Sequence, residues 1–201
     1  MSQAKQRLIK LEKSLAGLRA AGTTEEAEEA WTDFLVAAST IYSKLEQGAK
    51  GYRISEPWFG RKKKERKDDQ LLRYLHFARN SAEHGIERVT ATSPPNWHHD
   101  GRPLRFNERV PIKFQVTANP GTGTPSGEIL DGIIAGPTLK PVRAHDKRYG
   151  DFCDPPTQHM GKEITFSDFV DMIGEAAIPY LTAMIDEAET LVEDDSNHIA
   201  K

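Results

Sequence analysis

The chain has 201 residues, 37% hydrophobic and 28% charged, with a formal net charge of −3. That length suits one hydrophobic core with an insertion better than two independent cores, and apolar periodicity at both ends excludes disorder throughout. No apolar run approaches the roughly 20 residues of a membrane span, and the near-neutral total does not advertise nucleic-acid binding.

The first residues, with Lys5, Arg7 and Lys10 among helix formers, lack the apolar block of a signal peptide. Cys153 is the sole cysteine, so neither an intrachain disulfide nor a cysteine-based zinc cluster is expected. Both points favour the cytoplasm. Leu8, Leu11, Leu15 and Leu18 recur at spacings of three and four and predict a first helix over about 3–20. After Gly22, Thr23 and Glu26 form a capping box that opens a second helix. It runs through Trp31, Phe34, Leu35, Ala38, Ile41, Tyr42 and Leu45 to about Gln47, with Gly48 and Gly51 ending it.

A loop with Pro57, Trp58, Phe59 and Gly60 then leads into a basic block, Arg61, Lys62, Lys63, Lys64, Arg66 and Lys67, interrupted by Glu65. The third helix is expected from about Asp68 or Asp69 to Val89. Pro94 and Pro95 break the pattern, and the following stretch alternates instead. Ile112, Phe114 and Val116, a turn over 119–127 and a run over 129–134 predict a small antiparallel sheet of two to four strands. From Thr165 the helical period returns through Phe169, Ile173, Ala177, Leu181, Met184 and Ile185, with a kink expected at Pro179. The expected fold is mainly α: a four-helix bundle, 1–91 and 163–201, with a small β-rich insertion, 92–162, between helices 3 and 4.

The third helix carries the chemistry. On a wheel of about 100° per residue, Leu71, Leu75, Ala78, Ala82, Ile86 and Val89 form the core stripe. Arg73, His76, Asn80, His84 and Glu87 lie opposite, Asn80 one turn before His84, with Arg79 on the flank and Glu83 one turn beyond it. Phe77 shares the face of His84, and Tyr74 lies close by. A non-core face that holds Arg, Asn, His and an exposed Phe points to catalysis or to a dimer contact rather than to solvent alone.

Ala78-Arg79-Asn80-Ser81-Ala82-Glu83-His84 in such a bundle resembles the HEPN superfamily, whose ribonucleases bear Arg-x(4–6)-His, often with Asn, Asp or His directly after the Arg. The resemblance covers about 1–90 and 165–193; the insertion has no counterpart in a minimal domain of that family. It implies metal-independent RNA cleavage by a homodimer, with Arg79 and His84 catalytic, Asn80 and Glu83 supporting, and His76 and Phe77 at the dimer face. No metal or cofactor is implied. A toxin or phage-defence role, with an antitoxin or defence-system partner, belongs to the same family pattern. Toxins of that superfamily silenced by AMP attachment carry a Tyr two residues past the His; Ile86 stands there, so that mode of silencing is not expected. The competing class is a non-catalytic HEPN-like binding or scaffold protein that acts through its insertion or dimer face.

The basic block, with Trp58 and Phe59 before it and Arg73 after it, suits an RNA strand through phosphate neutralisation and stacking. Cations at the start of a helix oppose its dipole, so placement just before Asp68 suggests a purpose other than local stability. His98, His99 and Asp100, and separately His145, Asp146, Asp151, Cys153, Asp154 and His159, match no standard zinc spacing and read as a polar insertion. Neither a Gly-x-Ser-x-Gly elbow nor a phosphate-cradling glycine loop is present.

Overall fold

The computed structural model describes residues 3–84, 88–93, 97–116, 128–146 and 150–199; within these, the side chains of 83–84, 114–116, 128–130, 146 and 193–199 are outside the description. Among the described residues five helices carry the fold: α1 (Gln3–Ala20), α2 (Thr24–Ala49), α3 (Ser55–Asp68), α4 (Gln70–His84) and α5 (Val170–Ile199). The chain is mainly α, as the periodicity predicts, but with one helix more than expected.

The α1–α2 hairpin follows from its connection. Thr23 accepts the backbone N–H of Glu26, an orphan donor of the α2 terminus, and the Glu26 carboxylate reaches back to accept the N–H of Gly22, just before the cap, at 2.8 Å. α5 runs antiparallel to α1, fastened by Lys5–Glu189 at one end and Arg19–Asp171 at the other. Between them sits the core: Trp31 stacked on Phe34 at 5.2 Å, with Leu11, Ile41, Ile173, Leu181 and Met184, all at or near zero exposure. Gly174 lets α5 come this close, because a Cβ there would meet Leu15 Cδ1 at 3.1 Å and the Phe34 ring at 3.3 Å. Pro179 lies inside α5, which continues through it.

The extra helix corrects the reading of the basic block. Arg61 to Lys67 are not in a loop; they form the second half of α3, whose last turn holds Arg66 and Lys67. Cations there complement the dipole instead of opposing it. Asp69, in extended backbone, separates α3 from α4. α4 therefore begins at Gln70 and is described as far as His84; residues 88 and 89 are not helical, so it stops short of Val89, while Ile86 and the rest of 85–87 lie outside the described residues.

Among the described residues the insertion forms five separate two-stranded antiparallel pairs rather than one sheet. β1 (Thr90–Thr92) pairs with β6 (Leu139–Pro141), and β2 (His98–His99) with β3 (Arg102–Pro103). β4 (Arg109–Val116) pairs with β5 (Glu128–Ala135), β7 (Ala144–Asp146) with β8 (Asp151–Cys153), and β9 (Gln158–His159) with β10 (Lys162–Glu163). The predicted alternating runs are β4 and β5, in register Ile112 to Gly132; the turn joining them falls outside the described residues. Leu139, Ala144, Cys153 and Ile164 join the same buried cluster as the helices. The insertion is thus part of one core, and its short pairs are held by that burial rather than by their few ladder bonds.

Candidate functional site

α4 is positioned at its first turn by Asp69. The carboxylate accepts the backbone N–H of Leu72 at 3.0 Å, a cap that also suits the positive end of the helix dipole. The same group fastens the β9–β10 turn: His159 Nδ1 lies 2.9 Å from Oδ1, and the Met160 N–H donates to Oδ2 at 2.7 Å. The His159 ring meets Tyr180 of α5 edge-on at 5.6 Å, and the Tyr180 hydroxyl donates to Glu65 of α3 at 2.8 Å. Burial pushes the Tyr180 phenol far above its ordinary range and the neighbouring Tyr42 phenol up to about 12, so both stay neutral in this network.

Along α4 the buried side is wider than a single stripe. Leu71, Leu75 and Ala78 face the core as predicted, but Tyr74 is fully buried too, its hydroxyl donating to Val142 O at 2.9 Å. Phe77, expected to be exposed, is half-buried and packs against the core, edge-on to His76. The reason is the insertion: β7 and β8 lie on the flank of α4 that the wheel leaves open. Ser81, itself buried, donates to the His145 carbonyl at 2.6 Å and accepts the His145 N–H at 3.0 Å, clamping β7 to the helix.

Arg79 and Asn80 are half-buried, with Arg79 Nη1 donating to Asn80 Oδ1 at 3.2 Å. The described part of α4 runs to Glu83 and His84, whose side chains lie outside the described residues. Arg73 is exposed.

The basic block divides into two groups. Lys62 is buried, ion-paired with Glu187 at 2.9 Å and Glu65 at 3.4 Å, near the rings of Trp58 and Tyr180. Burial would raise the Glu187 carboxyl, but hydrogen bonds from Trp58 and Lys62 outweigh it and hold that carboxyl below its usual range. Lys63 pairs with Glu46 over the Phe59 ring, and the Arg66 guanidinium lies 4.7 Å from the Tyr42 ring centre. Arg61, Lys64 and Lys67 are exposed. Trp58 and Phe59, expected beside an RNA strand, are buried in the core instead.

Among the described residues, no group of three or more His, Cys, Asp or Glu side chains is placed to hold a metal ion. Burial pushes the Cys153 thiol up despite a hydrogen bond from Arg73, which makes it a poor nucleophile at neutral pH. Among the same residues, no helix is long and apolar enough to cross a membrane. An open, mainly apolar groove of about 640 Å³ lies between the ends of α1, α2, α3 and α5, and no residue of α4 lines it. Compared with family models, curated proteins and solved structures, the chain matches none of them.

Proposed function

We propose that this chain is a metal-independent endoribonuclease of HEPN type, with Arg79 and His84 as its catalytic pair and a homodimer as its working form. The observation that carries this reading is the Arg79–Asn80 hydrogen bond, which fixes a half-buried guanidinium on the helix that also carries His84.

In the proposed reaction the ribose 2′-oxygen bonds to phosphorus while the bond from phosphorus to the 5′-oxygen breaks. One neutral imidazole takes the 2′-hydroxyl proton, and a cationic one protonates the departing 5′-oxygen. Two copies of His84 in a dimer supply one of each. The Arg79 guanidinium offers donors to the non-bridging oxygens, where charge builds in the transition state. Incubation with total RNA in EDTA tests the reading: cleavage should persist, and products should carry 2′,3′-cyclic phosphate and 5′-hydroxyl ends.

The homodimer is expected at micromolar concentration by light scattering, with the remaining open face of α4, including His76 and Asn80, against its twin. A monomer whose mass is unchanged by RNA removes that part of the proposal.

The exposed cations of α3 are assigned to the RNA backbone. Neutralising Arg61, Lys64 and Lys67 together should weaken binding and reduce the salt slope by about 2, since each single-strand phosphate contact contributes about 0.7. Lys62→Met should leave that slope unchanged, because Lys62 is already paired with Glu187 and Glu65. Equal slopes for wild type and the triple variant would remove α3 from the RNA path.

A further inference from the structure

Phe152 is a large aromatic side chain left half in solvent on a three-residue strand. Side chains alternate across a strand, and its neighbour Cys153 is buried opposite Ala144, on the side of β7–β8 that joins the core. Phe152 therefore stands on the outer face with its register partner His145, and it is 51% exposed. It is also held in place. The Arg143 guanidinium lies 4.4 Å from the ring centre, and Arg143 Nε donates to Asp154 Oδ1 at 2.6 Å. The Phe152 N–H donates to Asp151 Oδ1 at 2.8 Å. One face of the ring is backed by a cation that is itself anchored; the ring remains half-exposed to solvent. Tyr52 and Trp97 are exposed aromatics too, but what singles out Phe152 is that β7, its pairing strand, is clamped to α4 at Ser81, between Asn80 and His84.

We infer that Phe152, backed by Arg143, is a stacking platform for an unpaired base of single-stranded RNA, placed beside the end of α4 by the Ser81–His145 clamp. The inference rests on the ribonuclease reading for the identity of the strand and adds a substrate class: RNA whose bases are free to splay out, since a duplex keeps its base faces covered. Electrostatics favours stacking over phosphate capture here. In the sequence, Arg143, Lys147 and Arg148 are matched by Asp146, Asp151 and Asp154, so this segment carries no surplus charge to attract a backbone. The contribution of Phe152 is accordingly independent of salt, unlike that of the α3 cations.

The test is anisotropy of a labelled, uncleavable 2′-O-methyl RNA strand across a salt series, with wild type, Phe152→Ala and Phe152→Trp. Phe152→Ala should weaken binding by about tenfold or more at every salt concentration, with the salt slope unchanged, and Phe152→Trp should restore it. The loss should vanish on a strand of the same length made abasic. Equal affinity of wild type and Phe152→Ala overturns the platform, whatever cleavage assays show. So does a change of oligomeric mass in Phe152→Ala with RNA affinity intact, which would make the ring a protein contact. Failure of the catalytic reading looks different: wild type binds the strand and loses affinity on Phe152→Ala, yet cuts no RNA.

Discussion

Replacing His84 or Arg79 by alanine should each lower RNA cleavage by about a hundredfold or more, the usual scale for an acid–base group and for a charge-stabilising donor. The expectation follows from what each side chain is asked to supply. In the proposed reaction the nucleophile is the internal 2′-hydroxyl, and something must take its proton and return one to the 5′-oxygen. An imidazole does this near neutrality; alanine does neither. The guanidinium donates in a planar fork that a phosphorane can use twice, so Arg79→Lys should recover only part of the loss. RNA binding should survive in all three variants, because the exposed cations of α3 and the Phe152 ring are untouched. An RNA carrying 2′-deoxy at the scissile position should resist wild type as firmly as normal RNA resists His84→Ala. Unchanged behaviour of His84→Ala would instead support the scaffold reading, in which the helix end binds without cutting. Activity abolished by EDTA and retained by both alanine variants would place the chemistry elsewhere, and the His and Asp residues of the insertion would be the next to test.

Much of the fold was legible because α1, α2 and α5 are long and strongly periodic, and because Thr23 and Glu26 mark a helix start in local sequence. The β4–β5 pair was legible for the same reason in period two. α3 was not. Its buried side is Trp58, Phe59 and Lys62, and a lysine in a core position hides the apolar stripe that a wheel looks for. What makes that lysine tolerable is Glu187, more than a hundred residues away, which local pattern cannot supply. The break at Asp69 has a similar origin, since the carboxylate serves the α4 terminus and His159 together. With the helix start placed after the basic block rather than before it, the dipole argument pointed the wrong way.

The same division runs through the site. Asn80 and His84 were expected as neighbours one turn apart, but the His84 side chain lies outside the described residues; the hydrogen bond that is described joins Asn80 to Arg79. The wheel also placed the core stripe correctly at Leu71, Leu75 and Ala78. It failed on the flank, where Tyr74 and Ser81 are buried beside strands of three residues that carry no periodicity of their own. Phe152 escaped notice because a three-residue strand does not announce which side faces out; that becomes visible only once Cys153 and Ala144 are known to be buried together. Long-range packing therefore decides how much of the α4 surface a substrate or a second copy can reach.

Asp171→Ala should cost about 2 to 3 kcal/mol of folding stability, the largest loss expected from any single polar residue outside the site. Its carboxylate is buried in the first turn of α5, where the helix dipole favours it, and it receives two guanidiniums. Arg109 Nη2 from the start of β4 lies 2.5 Å from Oδ1, and Arg19 Nε from the end of α1 lies 3.3 Å from Oδ2. Three separate parts of the chain meet on one side chain. Arg109 is stacked 4.7 Å from the Phe169 ring centre, and its Nε is buried without a hydrogen-bond partner among the described residues, so little else compensates its charge. Arg19 keeps Glu175 when Asp171 is removed. Removing one partner of a fully buried pair costs about 3 to 5 kcal/mol; the side chains of Arg19 and Arg109 are 43% and 30% exposed, and solvent screening brings the expectation down. Asp171→Asn keeps the size and an acceptor, so the difference between the two variants isolates the charge. Urea unfolding should show a lower midpoint with an unchanged slope, the signature of lost stability without a change in surface exposed. Cleavage per folded molecule should stay at the wild-type level, because no atom of α4 touches this cluster in the contacts described. A midpoint equal to wild type would mean that the two arginines find water as good a partner as the carboxylate, and that the insertion is held to the helices by its apolar contacts and its other hydrogen bonds, such as those of Ser81 and Asp69.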